Sequence, residues 1–493
     1  MKTRAIHIVR NWPFFLVLLP LFYLLHGLSA NYAPLLTGIA LKTFLLHAAT
    51  GILISILFLP LLKSISKAAL FSFLLLFFNY FFSYLQDGLI ELFGRTALWS
   101  RYIFLLPLFI TLFAWILIHL KRMKNNPGKL ILFLNTALFL LLVLEVITFT
   151  RTAFNTRYYN PSVQTNDLRA CDTCNKPSLY VIVVDEYAGK QELRDIFSYD
   201  NTPFENELEK RGFHIMDGSR SNYNQTIYSI ASAFSMDYLR LNSTFLNRKD
   251  LLLSNVIINS NSVASFFSRT GYKIVNHSMF DFNGIKKAVF HYYLPPVSEI
   301  LTFQTFTSRF TRESGFNFIY LFNKSAVSAP QYQLYDNNLV DSLTRQTAAG
   351  TKGNPVFVYS HFLMPHAPYA YNSEGRPFSD ITRIRTFNEA RYEYVEYLKY
   401  TNKKMLSLFD HILAHSKEKP IIVFVSDHGF RQLNPEIDKQ YHFMNIAAVH
   451  LPSGNYSGFY DGITPVNIFR QVLNAQFGQQ LPLLKDSTIF IPD

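Results

Sequence analysis

Cysteine is almost missing from these 493 residues, which contain only Cys171 and Cys174. A disulfide framework is thereby excluded, and one CxxC without a second pair cannot complete a four-thiolate zinc site. The pair sits in the polar run "RACDTCNK", where a small disulfide loop, a redox role and a metal role all stay open. Acids are scarce too, but only in one place. Residues 1–150 hold 12 Lys/Arg against three acids (Asp87, Glu91, Glu145), whereas the rest carries 34 Lys/Arg against 31 Asp/Glu. The formal charge of +12 therefore belongs mainly to a strongly apolar part of the chain. That placement excludes a basic, nucleic-acid-binding globule.

What that part does contain is long hydrophobic runs. Crossing a hydrocarbon core of about 30 Å takes roughly 20 residues. Five stretches qualify: Asn11–Leu28, Thr43–Leu62, Ala68–Leu85, Arg101–His119 and Leu130–Thr150. The first is too long and too aromatic for a signal-peptide core and has no small-x-small cleavage site. Nine basic residues (Lys2, Arg4, Arg10, Lys63, Lys67, Lys121, Arg122, Lys124, Lys129) lie on one side of these spans, and three (Lys42, Arg95, Arg101) on the other. The positive-inside rule then puts the N-terminus in the cytoplasm and everything beyond about Thr150 outside. Glu145, inside the fifth stretch, is either a functional intramembrane acid or one that reaches the interface.

Residues 151–177 are polar and rich in turn formers, and read as a linker. Beyond them, "LYVIVV" (Leu179–Val184), "VFVY" (Val356–Tyr359) and "IIVFV" (Ile421–Val425) are short, β-branched, continuously apolar runs. Helical periodicity separates them, most clearly over Phe387–His415. Strands buried on both faces and alternating with helices predict a mostly parallel sheet in an α/β domain over residues 178–493. The segment Arg240–Thr351 carries no motif and reads as insertions around that sheet, with shaping of an acceptor site or packing against the membrane as alternatives.

Each of the three runs ends in chemistry. The first meets Asp185 and Glu186, the second His361 and then His366, the third Asp427 and His428. Ligands bind at the carboxyl edge of such sheets. Carboxylates crowded there repel one another unless a cation joins them, and mixed carboxylate and imidazole donors suit Zn²⁺ or Mn²⁺ better than Ca²⁺. A nucleophile is available in "SRSNYNQTIYSIASAFSMDYL", where a helix begins near Thr226 with Ser229, Ala233 and Asp237 on one face. A hydroxyl at a helix N-terminus meets unpaired amides and the positive end of the dipole.

This order resembles the alkaline phosphatase superfamily in its sulfatase-like branch. Strand-DE, a Thr at a small-residue helix, "HFLMPHAP" and strand-SDHG are the residues that carry the likeness, and "TPVNIFRQVLNAQFG" resembles the last helix of sulfatase-like proteins. With five N-terminal spans, the plan of the whole chain is similar to lipoteichoic acid synthases and lipid A phosphoethanolamine transferases. The resemblance implies Thr226 as nucleophile and metal ligand, with Glu186, Asp185, Asp427 and His428 completing the metal site. It implies that His361, His366 and, at looser spacing, His442 contact substrate phosphate or a second metal. One or two divalent ions, Zn²⁺ or Mn²⁺, follow as cofactors.

The activity so implied is metal-dependent transfer of a phospho-headgroup, of phosphoethanolamine or phosphoglycerol type. The donor is a membrane lipid, the acceptor an envelope glycan or lipid, and a phospho-threonine lies between them. The protein would be multi-pass in a bacterial inner membrane with its catalytic domain outside. Two alternatives stand beside it: a membrane-anchored phosphodiesterase using water, and a non-catalytic envelope scaffold or sensor. The sequence departs from the pattern in two places. Phe430 and Arg431 follow SDHG where many transferases carry an acid, and no C/S-x-P-x-R sequence occurs, so the formylglycine of true sulfatases is missing.

Overall fold

The computed structural model describes residues 10–31, 37–94, 97–125, 127–155, 168, 175–289, 294–311, 329–350, 355–378, 386–432 and 437–492. Cys171 and Cys174 lie outside the described residues. The chain forms two compact units. One comprises residues 1–157 together with 298–326, the other 158–297 together with 327–493.

The first unit holds five apolar helices: α1 (Phe15–Asn31), α2 (Thr37–Leu62), α3 (Ile65–Phe93), α4 (Tyr102–Arg122) and α5 (Gly128–Asn155). In α2 to α5 each apolar run is long enough to cross a membrane, and α1 is slightly shorter. Their outward faces stay apolar, as with Leu57 and Ile103 at 73% and 75% exposure, because hydrocarbon rather than water is their solvent. Between helices the contacts are close. Gly51 lets α2 approach α3 so tightly that an added Cβ would lie 2.7 Å from Leu76. The Ser72 hydroxyl donates to the Gly51 carbonyl at 2.6 Å, and Tyr23 stacks on Tyr80 at 4.2 Å between centroids. Glu145 on α5 is bonded to His26 on α1, 2.6 Å away; its acid has a partner.

Part of the segment Arg240–Thr351, residues 298–311, belongs to this unit and not to the surroundings of the sheet. Phe306 packs on Phe78 and Phe82 at 4.9 and 5.0 Å. Arg309, 7% exposed at its side chain, donates to Asp87 at 2.7 Å. Nothing periodic marks these residues in the sequence, because their partners are about 220 residues earlier.

The second unit is an α/β sheet domain. In chain order its elements are β1 (Leu179–Asp185), α6 (Lys190–Phe197), α7 (Thr202–Lys210), β2 (Phe213–Ile215), α8 (Thr226–Ser235), α9 (Arg248–Asn259), α10 (Ser262–Arg269) and β3 (Lys273–His277). Then follow α11 (Ala329–Gly350), β4 (Val356–Pro365), α12 (Phe387–His415), β5 (Ile421–Ser426), β6 (Ala447–His450) and α13 (Pro465–Phe477). The six strands are ordered β2-β6-β5-β1-β4-β3. Pairings β5–β1, β1–β4 and β4–β3 are parallel; β6 is antiparallel to both its neighbours.

The three apolar runs are thus neighbouring central strands, and every residue of β1, β4 and β5 is buried. Burial on both faces is why they carry no alternation. The pair α9–α10 has an average hydropathy that would suit a membrane span, yet 67% of it is buried. Asn261 interrupts it by capping α10 through the Ala264 amide, so it is core of this unit and not a sixth crossing.

Candidate metal centre

β1, β4 and β5 run parallel and side by side, so their carboxyl ends open onto one edge. The register between β1 and β4 slips between Val184 and Asp185, and the next residue, Glu186, has φ +60°. A left-handed glutamate is unusual, and here it is held on three sides. Its N–H donates to Asp427 Oδ1 at 3.1 Å, its carbonyl accepts from the Tyr394 hydroxyl at 2.8 Å, and its Oε1 accepts from the Arg431 N–H at 2.8 Å.

Asp185, Asp427 and His428 form a buried group whose donor atoms all lie within 4.8 Å of one another. His428 Nε2 is 3.2 Å from Asp427 Oδ2 and 3.8 Å from Asp185 Oδ1. The same nitrogen is 3.1 Å from Thr226 Oγ1. His428 Nδ1 faces the Gly429 carbonyl at 2.7 Å, so that nitrogen carries the hydrogen and Nε2 presents a lone pair. Thr226 is the first residue of α8, with Gln225 in the capping position.

Burial pushes the His428 imidazole down to about 3, leaving it neutral. Burial, then the charge of Asp427, pushes the Asp185 carboxyl well up. For Asp427 burial acts upward, but the neighbouring His428 and His361 imidazoles and the bond from the Glu186 amide outweigh it, and the carboxyl is held low.

The donor set fits a divalent cation. Asp185 Oδ1, Glu186 Oε2, Asp427 Oδ2 and His361 Nε2 are buried and have no hydrogen-bond partner among the described residues. Leaving buried acceptors unmet is costly, and a shared ion would meet the carboxylate oxygens together.

The other anticipated residues are placed less uniformly. His361 is buried on β4, with Nδ1 2.8 Å from the Tyr359 hydroxyl, and burial lowers it to about 4. His366 Nε2 lies 3.7 Å from Glu186 Oε2, and its side chain is 29% exposed. Burial acts downward on His366, but the charges of Glu186 and Asp185 raise it overall. His442 contributes its backbone carbonyl, which accepts the Gly429 N–H at 2.9 Å. Its ring lies edge-on to Phe490, 5.6 Å away, and it is outside the Asp185/Asp427/His428 group.

Sequence reasoning did not anticipate the part taken by Arg431. Besides its amide on Glu186, its Nη1 donates to Gln225 Oε1 at 2.7 Å, so it clamps the residue that precedes Thr226. The departure after SDHG was its only signal. Tyr394 had none, nor had Glu192, whose Oε2 accepts the Phe430 N–H at 3.3 Å; Ser426 stood in SDHG without a part assigned to it. Ser426 Oγ accepts the Tyr187 N–H and donates to the His428 carbonyl, at 2.9 and 2.7 Å.

A mostly parallel α/β sheet with buried carboxylates, an imidazole and a helix-terminal threonine at its strand ends defines a class of metal-dependent proteins. The family model described as Sulfatase matches residues 178–469, more than half the chain, and the chain belongs to that family, in the sulfatase-like branch of the alkaline phosphatase superfamily. Sulfatase-family enzymes are metal-dependent.

Among solved structures, the C-terminal periplasmic domain of EptC from Escherichia coli, solved also in complex with Zn, is 12% identical. It covers 65% of this chain and 91% of its own, at a TM-score of 0.42. A putative sulfatase from Bacteroides thetaiotaomicron is 13% identical, covering 64% and 74%, at 0.40. Phosphonate monoester hydrolase from Silicibacter pomeroyi is 13% identical, covering 63% and 75%, at 0.40. No curated protein matches the chain.

Proposed function

We propose that this protein is a membrane-embedded phosphotransferase. It would move a phospho-headgroup, of phosphoethanolamine or phosphoglycerol type, from a membrane phospholipid to a hydroxyl of an envelope glycan or lipid. The observation that carries the reading is the 3.1 Å contact of Thr226 Oγ1 with His428 Nε2, inside the buried Asp185/Asp427/His428 group. Group transfer at a metal needs a nucleophile, and here Thr226 would supply it. The apolar helices of the first unit support a lipid-linked donor. The excess of Lys/Arg on one side supports a multi-pass protein of a bacterial inner membrane with the α/β unit outside.

Asp185, Glu186, Asp427, His428 and Thr226 would hold Zn²⁺ or Mn²⁺. Bound there, the ion would polarise the phosphoryl oxygens and lower the pKa of the threonine hydroxyl. Thr226 Oγ1 attacks phosphorus as the bond from phosphorus to the diacylglycerol oxygen breaks, leaving a phospho-threonine. The N-terminal amides of α8 favour the phosphate's negative charge. His366, partly exposed and raised towards protonation, donates a proton to the departing alcohol oxygen and takes one from the acceptor hydroxyl in the second step. His361 Nε2, buried and unmet among the described residues, would contact a phosphate oxygen or a second ion. Arg431 braces Gln225 and with it the start of the helix.

The test is mass spectrometry of the full chain incubated with mixed membrane lipids. An adduct on Thr226 whose mass matches a phospho-headgroup is expected, and Thr226→Ala should carry none and lose transfer by about 10³-fold or more. Activity surviving in Thr226→Ala would remove the nucleophile assignment. Labelled donor yielding free headgroup phosphate and no acceptor product would make the protein a hydrolase with the same site.

A further inference from the structure

The first unit contains a cavity of about 620 Å³ among α2, α3, α4 and the 306–307 stretch. That is within the ~300–1,000 Å³ range of small-molecule sites. Its floor is Leu76, 4% exposed, and Leu46 and Ile110, 64% and 66% exposed, stand at its rim. In a membrane-spanning bundle such a rim opens to hydrocarbon, not to water.

The cavity is not uniformly apolar. Asn79 Oδ1 accepts both the N–H and the hydroxyl of Thr307, at 3.1 and 3.0 Å. Those two bonds fix which way the amide faces and leave its Nδ2 hydrogens with no partner among the described residues. His47 Nδ1 faces the Tyr80 hydroxyl at 2.9 Å; with that hydroxyl donating, the ring hydrogen sits on Nε2, which likewise has no partner among them. Both residues line the cavity.

Unmet polar groups are costly where no water is at hand. The acceptors that a bilayer offers beside its alkyl chains are the ester carbonyls of glycerolipids. Asn79 lies eight residues before Asp87, whose pair with Arg309 marks the polar end of α3. Eight residues of helix are about 12 Å, so the carbonyl concerned is drawn somewhat below the headgroup layer.

We propose that this cavity is a glycerophospholipid site, taking one acyl chain between α2, α3 and α4 and binding its ester carbonyl through Asn79 and His47. Phe306 and Thr307 come from the distant 298–311 stretch, and they complete the wall and orient the Asn79 amide. That the bound lipid is the headgroup donor rests on the transferase reading; the binding itself does not.

The experiment uses the full chain carrying Thr226→Ala, in nanodiscs of phosphatidylglycerol and phosphatidylethanolamine, so that labelling cannot depend on turnover. The probe is a phospholipid with a diazirine in one acyl chain, photolysed and mapped by peptide mass spectrometry. Labels should concentrate on residues 46–54, 75–79 and 106–113. Leu106→Trp, which fills the cavity, should reduce them at least fivefold. Asn79→Leu with His47→Leu, which keeps the space but removes the donors, should reduce them in the same way. A diether analogue of the probe should label less than the diester.

Equal labelling of the outward faces around Ile103 and Phe133 would overturn the site. Equal labelling by diether and diester would overturn the carbonyl recognition. Phospho-threonine forming in the wild type while the cavity stays unlabelled would sink this proposal and leave the transferase reading standing. Labelling without any adduct would do the reverse.

Discussion

Replacing Asp427 by Asn tests whether the carboxylates at the strand ends are gathered for a cation. The side chains are the same size, and an Asn Oδ1 can still accept the Glu186 and His428 amides, which lie 3.1 and 2.9 Å from Asp427 Oδ1. The other oxygen, 3.2 Å from His428 Nε2, becomes an NH₂ facing a lone pair. The cation-free variant therefore keeps the two amide hydrogen bonds and loses the charge that pushes Asp185 upward, but it also gives up a carboxylate that its own neighbours hold low. The two effects oppose, and it should melt close to the cation-free wild type.

With metal present the two separate. Losing one anionic ligand by a factor of about 100 in affinity is about 2.7 kcal/mol. At a metal concentration near 1,000 times the wild-type Kd, binding stabilises the wild type by about 4.1 kcal/mol. The variant, then at about ten times its own Kd, gains only about 1.4 kcal/mol. At roughly 2 °C per kcal/mol for a large domain, the melting transitions rise by about 8 and 3 °C. Scanning calorimetry of the full chain in nanodiscs, chelated and then titrated with Zn²⁺ or Mn²⁺, reads both effects. Tryptophan emission would not, because Trp12, Trp99 and Trp115 all belong to the first unit. If the chelated variant melts well below the chelated wild type, or if metal raises both alike, the carboxylates are not there for an ion.

Gly429→Ala should be severe. Its Cβ would lie 2.3 Å from the Tyr441 carbonyl oxygen and 2.7 Å from both the Met444 carbonyl and Glu192 Oε2, and backbone does not yield as a side-chain tip does. A loss of about 3 kcal/mol or more is expected, with reduced metal content by elemental analysis, because His428 must move with it. His277→Gln tests an acid limb of stability. Burial lowers the folded-state imidazole to about 4 from 6.5, so between those pH values the unfolded chain binds a proton that the folded chain does not. Stability therefore falls as pH drops through that window, by up to about 3 kcal/mol. The Gln variant should lose about one proton's worth of slope there in calorimetric melts, and an unchanged slope would mean that His277 is not buried neutral.

Much of the α/β unit was legible because its central strands are buried on both faces. Leu179–Val184, Val356–Tyr359 and Ile421–Val425 are unbroken apolar runs, and their shortness and β-branched content separate them from buried helix. Asp185, His361 and Asp427 could be picked out because a titratable residue ending such a run leaves the core at a ligand-binding edge. The shorter strands β2, β3 and β6 were not legible: three to five residues are too few to show a period.

The sequence by itself determined the apolar helices, the asymmetry of their basic residues, the type of sheet and the residues eligible for its edge. These follow from local periodicity and composition, which any stretch of chain records about itself. Only the tertiary structure decided which eligible groups meet. It put Thr226 against His428 across 202 positions of sequence, and tied Arg431 to Gln225 across 206. It kept the His442 ring with Phe490, and carried Phe306 and Thr307 onto α3. Such contacts depend on which folded surfaces are complementary, and neither partner's own stretch of sequence carries a mark of the other.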